Sequence, residues 1–320
     1  MNMNKKIVII KGSGSIANKH IKILSKLNLT IYVMIKNNKE KKRFEEKNLQ
    51  LIKFIKSLKN VDTKKILFCI IASSTDSHVK DIKFFIKNKV NIFCEKPISN
   101  RVNSLSLIKK EIEKEKIFFY INYQLKQHSF INKIKKIIKN EKIYHIESRV
   151  GNNLEGWRKN KIRKKSYYIS NKKGGGVIFE LVHEINLISF LFGNIKKIQT
   201  LKKKINIKDA EDIALSIFET ENGNLGTLIQ DMVARKSERY IKISTSENTY
   251  KFNLINSTFN FYKNNRLNTL KYKKLTQIDL IKKNIVDYIK WIKSNKFHTK
   301  YFDEGKRDLN ICLKMHGKKK

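Results

Sequence analysis

Three short stretches of the chain concentrate residue types that could do chemistry. Gly12-Ser13-Gly14-Ser15-Ile16-Ala17 follows the apolar run Ile7–Ile10 and opens a helix-like pattern. In that context a Gly-x-Gly-x-x-Ala spacing reads as a dinucleotide fingerprint. Gly12 permits the tight turn, Gly14 lets the backbone approach a pyrophosphate held at the helix N-terminus with Ser15 and Ile16, and Ala17 supplies the small third position. An acid near the end of the next strand would bind the adenosine ribose of NAD, but the chain has Ile35-Lys36-Asn37-Asn38 there. Lys36 tolerates a 2′-phosphate, which tilts the choice of NAD or NADP towards NADP. The second stretch is Cys94-Glu95-Lys96-Pro97, and the third runs from Gly174 through Glu180, His183 and Asn186. On one continuous helix the spacing i, i+3, i+6 would put those last three side chains on one broad face. An unperturbed histidine there, with a pKa near 6.5, is suited to proton transfer.

These residues need elements to hold them, and the apolar pattern supplies candidates. Ile7–Ile10, Ile31–Ile35, Ile66–Ala72, Val90–Cys94 and Ile117–Ile121 read as strands, separated by helical patterns over Ala17–Leu27 and His78–Lys87. Such alternation predicts an α/β fold with a doubly wound parallel sheet, a Rossmann domain over residues 1–122. Beyond Glu141 the pattern becomes Ile213–Glu219, Leu225–Met232 and Tyr240–Ser244, alternating stretches that suit an open, largely antiparallel sheet. A second α+β domain, for substrate binding and oligomerisation, is therefore predicted over 123–320. The helical stretch Gln277–Lys293 and the tail with Leu309 and Leu313 could pack back on either domain.

With those elements in place the chain resembles the Gfo/Idh/MocA family, the glucose-fructose oxidoreductase and inositol dehydrogenase group. Ala72-Ser73-Ser74-Thr75-Asp76-Ser77-His78 is similar to the family's strand-end segment, with Ser74 where proline is usual, and Glu95-Lys96-Pro97 is its signature. Pro97 is the only proline in the sequence, where average usage would give roughly 16, so a backbone requirement holds it there. The resemblance implies a cis Lys96–Pro97 bond, a cofactor contact region including Ser73, Ser74, His78, Glu95, Lys96 and Pro97, and a Lys96 that orients the reacting hydroxyl. The block Gly174–Asn186 is similar to the family's glycine-rich helix, which makes His183 the acid/base, supported by Glu180 and Asn186. Family members carry an acid four residues before this histidine or, in another form, three; here Phe179 and Glu180 stand there. The family's aspartate three residues after it is Asn186. Tyr123-Gln124-Leu125-Lys126-Gln127-His128 resembles a further family segment and makes Gln124 and Lys126 substrate-binding candidates. Val150-Gly151, Trp157-Arg158 and Ser166-Tyr167-Tyr168 resemble members from bacterial surface-polysaccharide and nonulosonic-sugar pathways, and Trp157 and Tyr168 read equally as sugar-pocket walls or core packing. Glu211-Asp212 reads as structural. Homo-oligomers, dimers or tetramers, are expected by the same resemblance.

Composition narrows the alternatives. The 320 residues allow two cores, and the longest apolar run, Ile66–Ala72, is far too short to cross a bilayer. No membrane partner and a cytoplasmic location are expected. Three cysteines without ligand spacing predict buried free thiols and no metal. The net charge of +42 raises a nucleic-acid reading, but the lysines are spread along the chain, and abundant Lys, Ile and Asn beside one Pro are the signature of AT-rich coding. No specific nucleic-acid partner is expected. Two function classes stand beside each other: an NAD(P)-dependent oxidoreductase acting on a sugar, nucleotide-sugar or nonulosonate hydroxyl or ketone, and a weakened or silent dinucleotide-binding protein motivated by Asn186. A nucleic-acid binder is the remote third.

Overall fold

The computed structural model describes residues 6–44, 46–153, 170, 173–207 and 209–317. The chain forms two compact units, one of Met1–Asn122 with Ile281–Lys306, the other of Tyr123–Leu280 with Arg307–Lys320.

The first unit is built on six strands: β1 (Ile7–Lys11), β2 (Thr30–Met34), β3 (Ile52–Ile55), β4 (Ile66–Ile71), β5 (Ile92–Cys94) and β6 (Phe119–Ile121). They lie in the order β3-β2-β1-β4-β5-β6, and every pair is parallel. β1, β4 and β5 are almost wholly buried, as a sheet covered on both faces requires. The helix Ser15–Leu24 buries Ala17, Ile21 and Leu24, and the helix His78–Lys87 buries Ile82, Phe85 and Ile86. Strand order reverses between β1 and β4, and in open α/β sheets ligands bind outside the carboxyl ends at such a point. Residues 281–306 join this core: Tyr288 is fully buried, donates to the Phe118 carbonyl at 2.6 Å, and packs on Phe68 and Phe93.

The second unit carries an eight-stranded sheet made of β7 (Ile143–Asn153), β8 (Ile195–Lys203), β9 (Ile213–Thr220), β10 (Leu225–Asp231), β11 (Val233–Thr245), β12 (Thr249–Asn253), β13 (Thr258–Lys263) and β14 (Arg266–Lys271). Their order is β14-β13-β12-β11-β7-β10-β9-β8. All pairs are antiparallel except β7 with β10, which is parallel. β9 alternates buried and open positions along its length, so one face is core. On the other face Leu201 pairs in register with Leu215, and both are exposed, as are Ile217 and Leu225. Ten of the eleven residues of the helix Val182–Phe192 are buried, His183, Glu184, Asn186 and Ser189 among them.

Candidate active-site residues

Gly12 leaves β1 with φ +131°, and a Cβ on it would collide with the Ala72 backbone just beyond β4. Only glycine fits both the dihedral and the approach of the second strand's exit. Gly14 differs. Its backbone is extended, with φ −87°, and a Cβ there would meet nothing within 4 Å. The space over Gly14 is open, Gly14 and Ser15 are exposed at the helix N-terminus, and the first helical turn carries no acid. A pyrophosphate would find free N–H donors and no competing charge, so the residues present fit a dinucleotide. Ala17 is fully buried and Ile16 half-buried. Lys36 is exposed, and its backbone N–H donates to the Glu40 carboxylate at 2.8 Å. The cation at the turn itself is Arg43, whose guanidinium donates to the Ser13 hydroxyl at 3.3 Å.

The exit of β4 is tied to the Glu95-Lys96-Pro97 loop after β5. Ser74 holds φ −69°, the dihedral a proline would impose, so serine keeps the backbone shape without the ring. Ser73 donates to Asp81 at 2.6 Å. His78 is buried, and its two ring nitrogens face the carbonyls of Pro97 and Ser73 at 2.9 and 3.1 Å. Burial pushes its pKa down. The Lys96–Pro97 bond is cis. Glu95 takes hydrogen bonds from His20 at 2.7 Å and Asn122 at 2.8 Å. Asn122 in turn accepts from Asn284, which accepts from Tyr120. Burial pushes the Glu95 carboxyl up, but His20, Asn122 and the Lys96 charge outweigh it and hold it below the ordinary carboxylate range. Lys96 therefore stands half-buried on a loop whose preceding residue is locked by a chain of buried polar groups.

In the second unit the expectation of one helix through Glu180, His183 and Asn186 is corrected. Val177–Glu180 and Val182–Phe192 are separate helices, broken at Leu181. The Leu181 carbonyl accepts from the Glu184 N–H at 3.3 Å and from buried Gln230 of β10 at 2.8 Å, so a strand side chain adds to the bonding at the break. Glu180 is buried on the first helix, whereas His183 and Asn186 share the second. Gly176 and Gly193, both with φ +95°, bound the pair. A Cβ on Gly176 would strike the Glu211 carboxylate, which also accepts from the Ile178 N–H at 3.2 Å. Asp212 accepts from the N–H groups of Ile205 and Asn206. Glu211 thus accepts from backbone and lies 3.7 Å from the His316 ring nitrogen, and Asp212 accepts from backbone. Phe179 stacks on His316 and is core.

The Tyr123 ring stands edge-on to His183, with centroids 6.1 Å apart. The short helix Gln124–Gln127 follows, with the Lys126 ammonium over the rings of Tyr123 and Phe190 at 5.8 and 5.4 Å. Gln124 is buried, and its Oε1 has no hydrogen-bond partner among the described residues. An orphaned buried carbonyl is costly, and a ligand hydroxyl would satisfy it. Asn186 donates to Asp308 at 2.7 Å, and Asp308 also accepts from Arg307 at 2.8 Å. Asp308, Arg307, Arg43 and His20 were not among the sequence candidates. Trp157 and Tyr168 lie outside the described residues. Cys69, Cys94 and Cys312 are buried free thiols. Among the described residues no cluster of three or more His, Cys, Asp or Glu could hold a metal, and no helix is long and apolar enough to cross a membrane.

A parallel sheet with a glycine turn at its switch point, followed by a mixed sheet, defines a two-unit protein with a dinucleotide-binding fold. Residues 5–123 match the family described as oxidoreductase, NAD-binding Rossmann fold, and residues 131–251 match the GFO/IDH/MocA C-terminal domain. The chain belongs to the GFO/IDH/MocA family. It is 23% identical over 205 residues to the 2,7-anhydro-N-acetylneuraminate hydratase of Escherichia coli K12, a match covering 62% of this chain and about half (55%) of that protein. The fold is shared with UDP-N-acetylglucosamine 3-dehydrogenase GnnA of Acidithiobacillus ferrooxidans, at a TM-score of 0.79 and 16% identity over 98% of this chain and 97% of that one. A levoglucosan dehydrogenase in complex with NADH superposes with a TM-score of 0.82 at 13% identity, covering 98% and 96% of the two chains.

Proposed function

We propose that the protein transfers a hydride between a nicotinamide dinucleotide and a hydroxyl or ketone of a sugar, nucleotide sugar or nonulosonate. The observation that carries this reading is the Gly12–Ala17 turn at the β1/β4 switch point, with open space over Gly14 and the anchored Lys96 loop on the neighbouring strand end. The bound nicotinamide supplies or accepts the hydride at its ring carbon. Lys96 donates a hydrogen bond to the reacting oxygen and favours its alkoxide character. His183 holds the proton: in the oxidative direction the O–H proton passes to its imidazole as the C–H electron pair leaves as hydride and the carbonyl forms. Gln124 and Lys126 are assigned to the substrate, the first through its orphaned Oε1. The named relatives, a hydratase of an anhydro-sugar acid and two sugar dehydrogenases, support the substrate class. Arg43 at the glycine turn, with exposed Lys36, supports NADP over NAD. The exposed apolar row Leu201, Leu215, Ile217 and Leu225 supports a homo-oligomer.

The test is a titration with NADH and NADPH, followed by turnover on a panel of nucleotide-activated, anhydro- and nonulosonic sugars. Lys96→Ala and His183→Ala should each abolish turnover while the dinucleotide affinity stays within a few-fold, roughly the scale of losing one peripheral contact. Turnover surviving either change would remove the assigned roles. Dinucleotide binding with no turnover on any sugar would favour the silent binding protein.

A further inference from the structure

The side chain that decides what Asn186 can do lies far away in sequence. Asp308, on the helix Lys300–Met315, is fully buried. Its Oδ2 accepts from the Asn186 amide at 2.7 Å and its Oδ1 from the Arg307 guanidinium at 2.8 Å. Arg307 also donates to Asn194 at 2.9 Å, just past the end of Asn186's own helix. An ionised carboxylate can only accept, so the NH2 of Asn186 must face Asp308 and its Oδ1 must face away. The Tyr123 ring, also buried, meets His183 edge-on. His183 precedes Asn186 by three residues on the same helix, and residues so spaced are surface neighbours.

We propose that Asp308 is a positioning carboxylate of the second unit's site, which fixes Asn186 as a hydrogen-bond acceptor on the helix of His183. Asn186 and Asp308 then form one amide–carboxylate couple. The couple predicts an unusual pattern of substitutions. Asn186→Asp places two carboxylates in direct contact, which cannot both ionise. Asp308→Asn leaves an amide facing Arg307 on one side and Asn186 on the other. Its oxygen can serve only one of those donors, so either Arg307 loses its acceptor or Asn186 must turn over and present NH2 outward. The exchange Asn186→Asp with Asp308→Asn closes every bond again: the new amide donates to the carboxylate at 186 and accepts from Arg307.

The role of the couple in catalysis rests on the reading of His183 as acid/base, whereas its existence does not, and the experiment separates the two. The full chain, both single variants and the exchange are compared by thermal unfolding at pH 5.5 and pH 8. Arg307 and Tyr123 act on Asp308, Cys312 on Tyr123, and His183 lies one turn from Asn186; all four are common to every variant compared. Asn186→Asp should lower the midpoint by roughly 10 °C at pH 8 and clearly less at pH 5.5, where one shared proton is retained. The exchange should regain most of that loss. An exchange no more stable than the worse single variant overturns the couple. On the sugar that the panel identifies, Asp308→Asn should lower kcat by about 10- to 100-fold with little change in KM, the scale expected of a misplaced catalytic group, and the exchange should restore it. Unchanged kcat in Asp308→Asn, or KM moving alone, overturns the positioning role even if the stability pattern holds.

Discussion

The two units each hold a buried carboxylate beside a residue assigned to the reaction, and the two are built differently. Glu95 adjoins Lys96 in sequence and is pulled below its ordinary range by His20 and Asn122 against the upward push of burial. Asp308 serves His183's helix from the C-terminal helix, and burial pushes its carboxyl up by more than Arg307 and Asn186 draw it down. One is a charge the fold pairs well, the other a charge whose burial its partners do not fully offset. Local motifs therefore expose the first kind of anchor, while the second is visible only once distant helices are packed.

The difference should appear most strongly in stability. Glu95→Ala removes the acceptor of two buried donors and should cost about 3–5 kcal/mol in denaturant unfolding. The pH dependence then has opposite signs in the two units. Because Glu95 is depressed in the fold, its contribution is present above its ordinary value of 4.5 and is lost as pH falls below it. Because Asp308 is raised, folding is favoured by its proton at low pH, and that support fades as pH climbs above the ordinary 3.8. Glu95→Gln should flatten the acid limb of the stability profile and Asp308→Asn the rising-pH limb. The same slope in both variants would dissolve the distinction.

The glycine turn offers a finer contrast. Gly12→Ala meets the Ala72 backbone from a positive φ and should cost about 2 kcal/mol or more, with dinucleotide binding lost. Gly14→Ala meets no protein atom and should leave stability within about 0.5 kcal/mol, while calorimetric titration shows weakened dinucleotide binding. Equal stability losses would mean that Gly14 serves the fold and not the ligand. Smallest is the effect of Arg43→Ala, expected to weaken NADPH by about tenfold, the scale of one charge-assisted contact, and NADH hardly at all.

Much of the first unit was legible because its strands are buried on both faces and read as plain apolar runs, and the helix His78–Lys87 begins and ends where its pattern does. β3 was missed because it is only Ile52–Ile55, with Lys53 in its midst, and β14 because Arg266–Lys271 is mostly exposed and polar. The helix break at Leu181 left no trace in the sequence, where no glycine or proline stands between Val177 and Phe192 and one partner of the Leu181 carbonyl, Gln230, lies on a distant strand. Arginine usage carries a further signal. The chain has nine arginines among its 70 basic residues, and Arg149, Arg239 and Arg307 each grip a buried acid: Asp231, Glu184 and Asp308. Where lysine is the default cation, an arginine marks a site that needs the planar, multi-donor fork.

The buried acids also change what the solvent sees. Among the described residues nine Asp and Glu are buried, Glu95 and Asp308 among them, whereas no Lys or Arg is. The exterior is therefore more cationic than the formal +42. A polyphosphate approaching from solution meets a field that draws it in from any side, with an arrival rate set by ionic strength. Discrimination among anionic ligands then falls to the short-range geometry of the glycine turn.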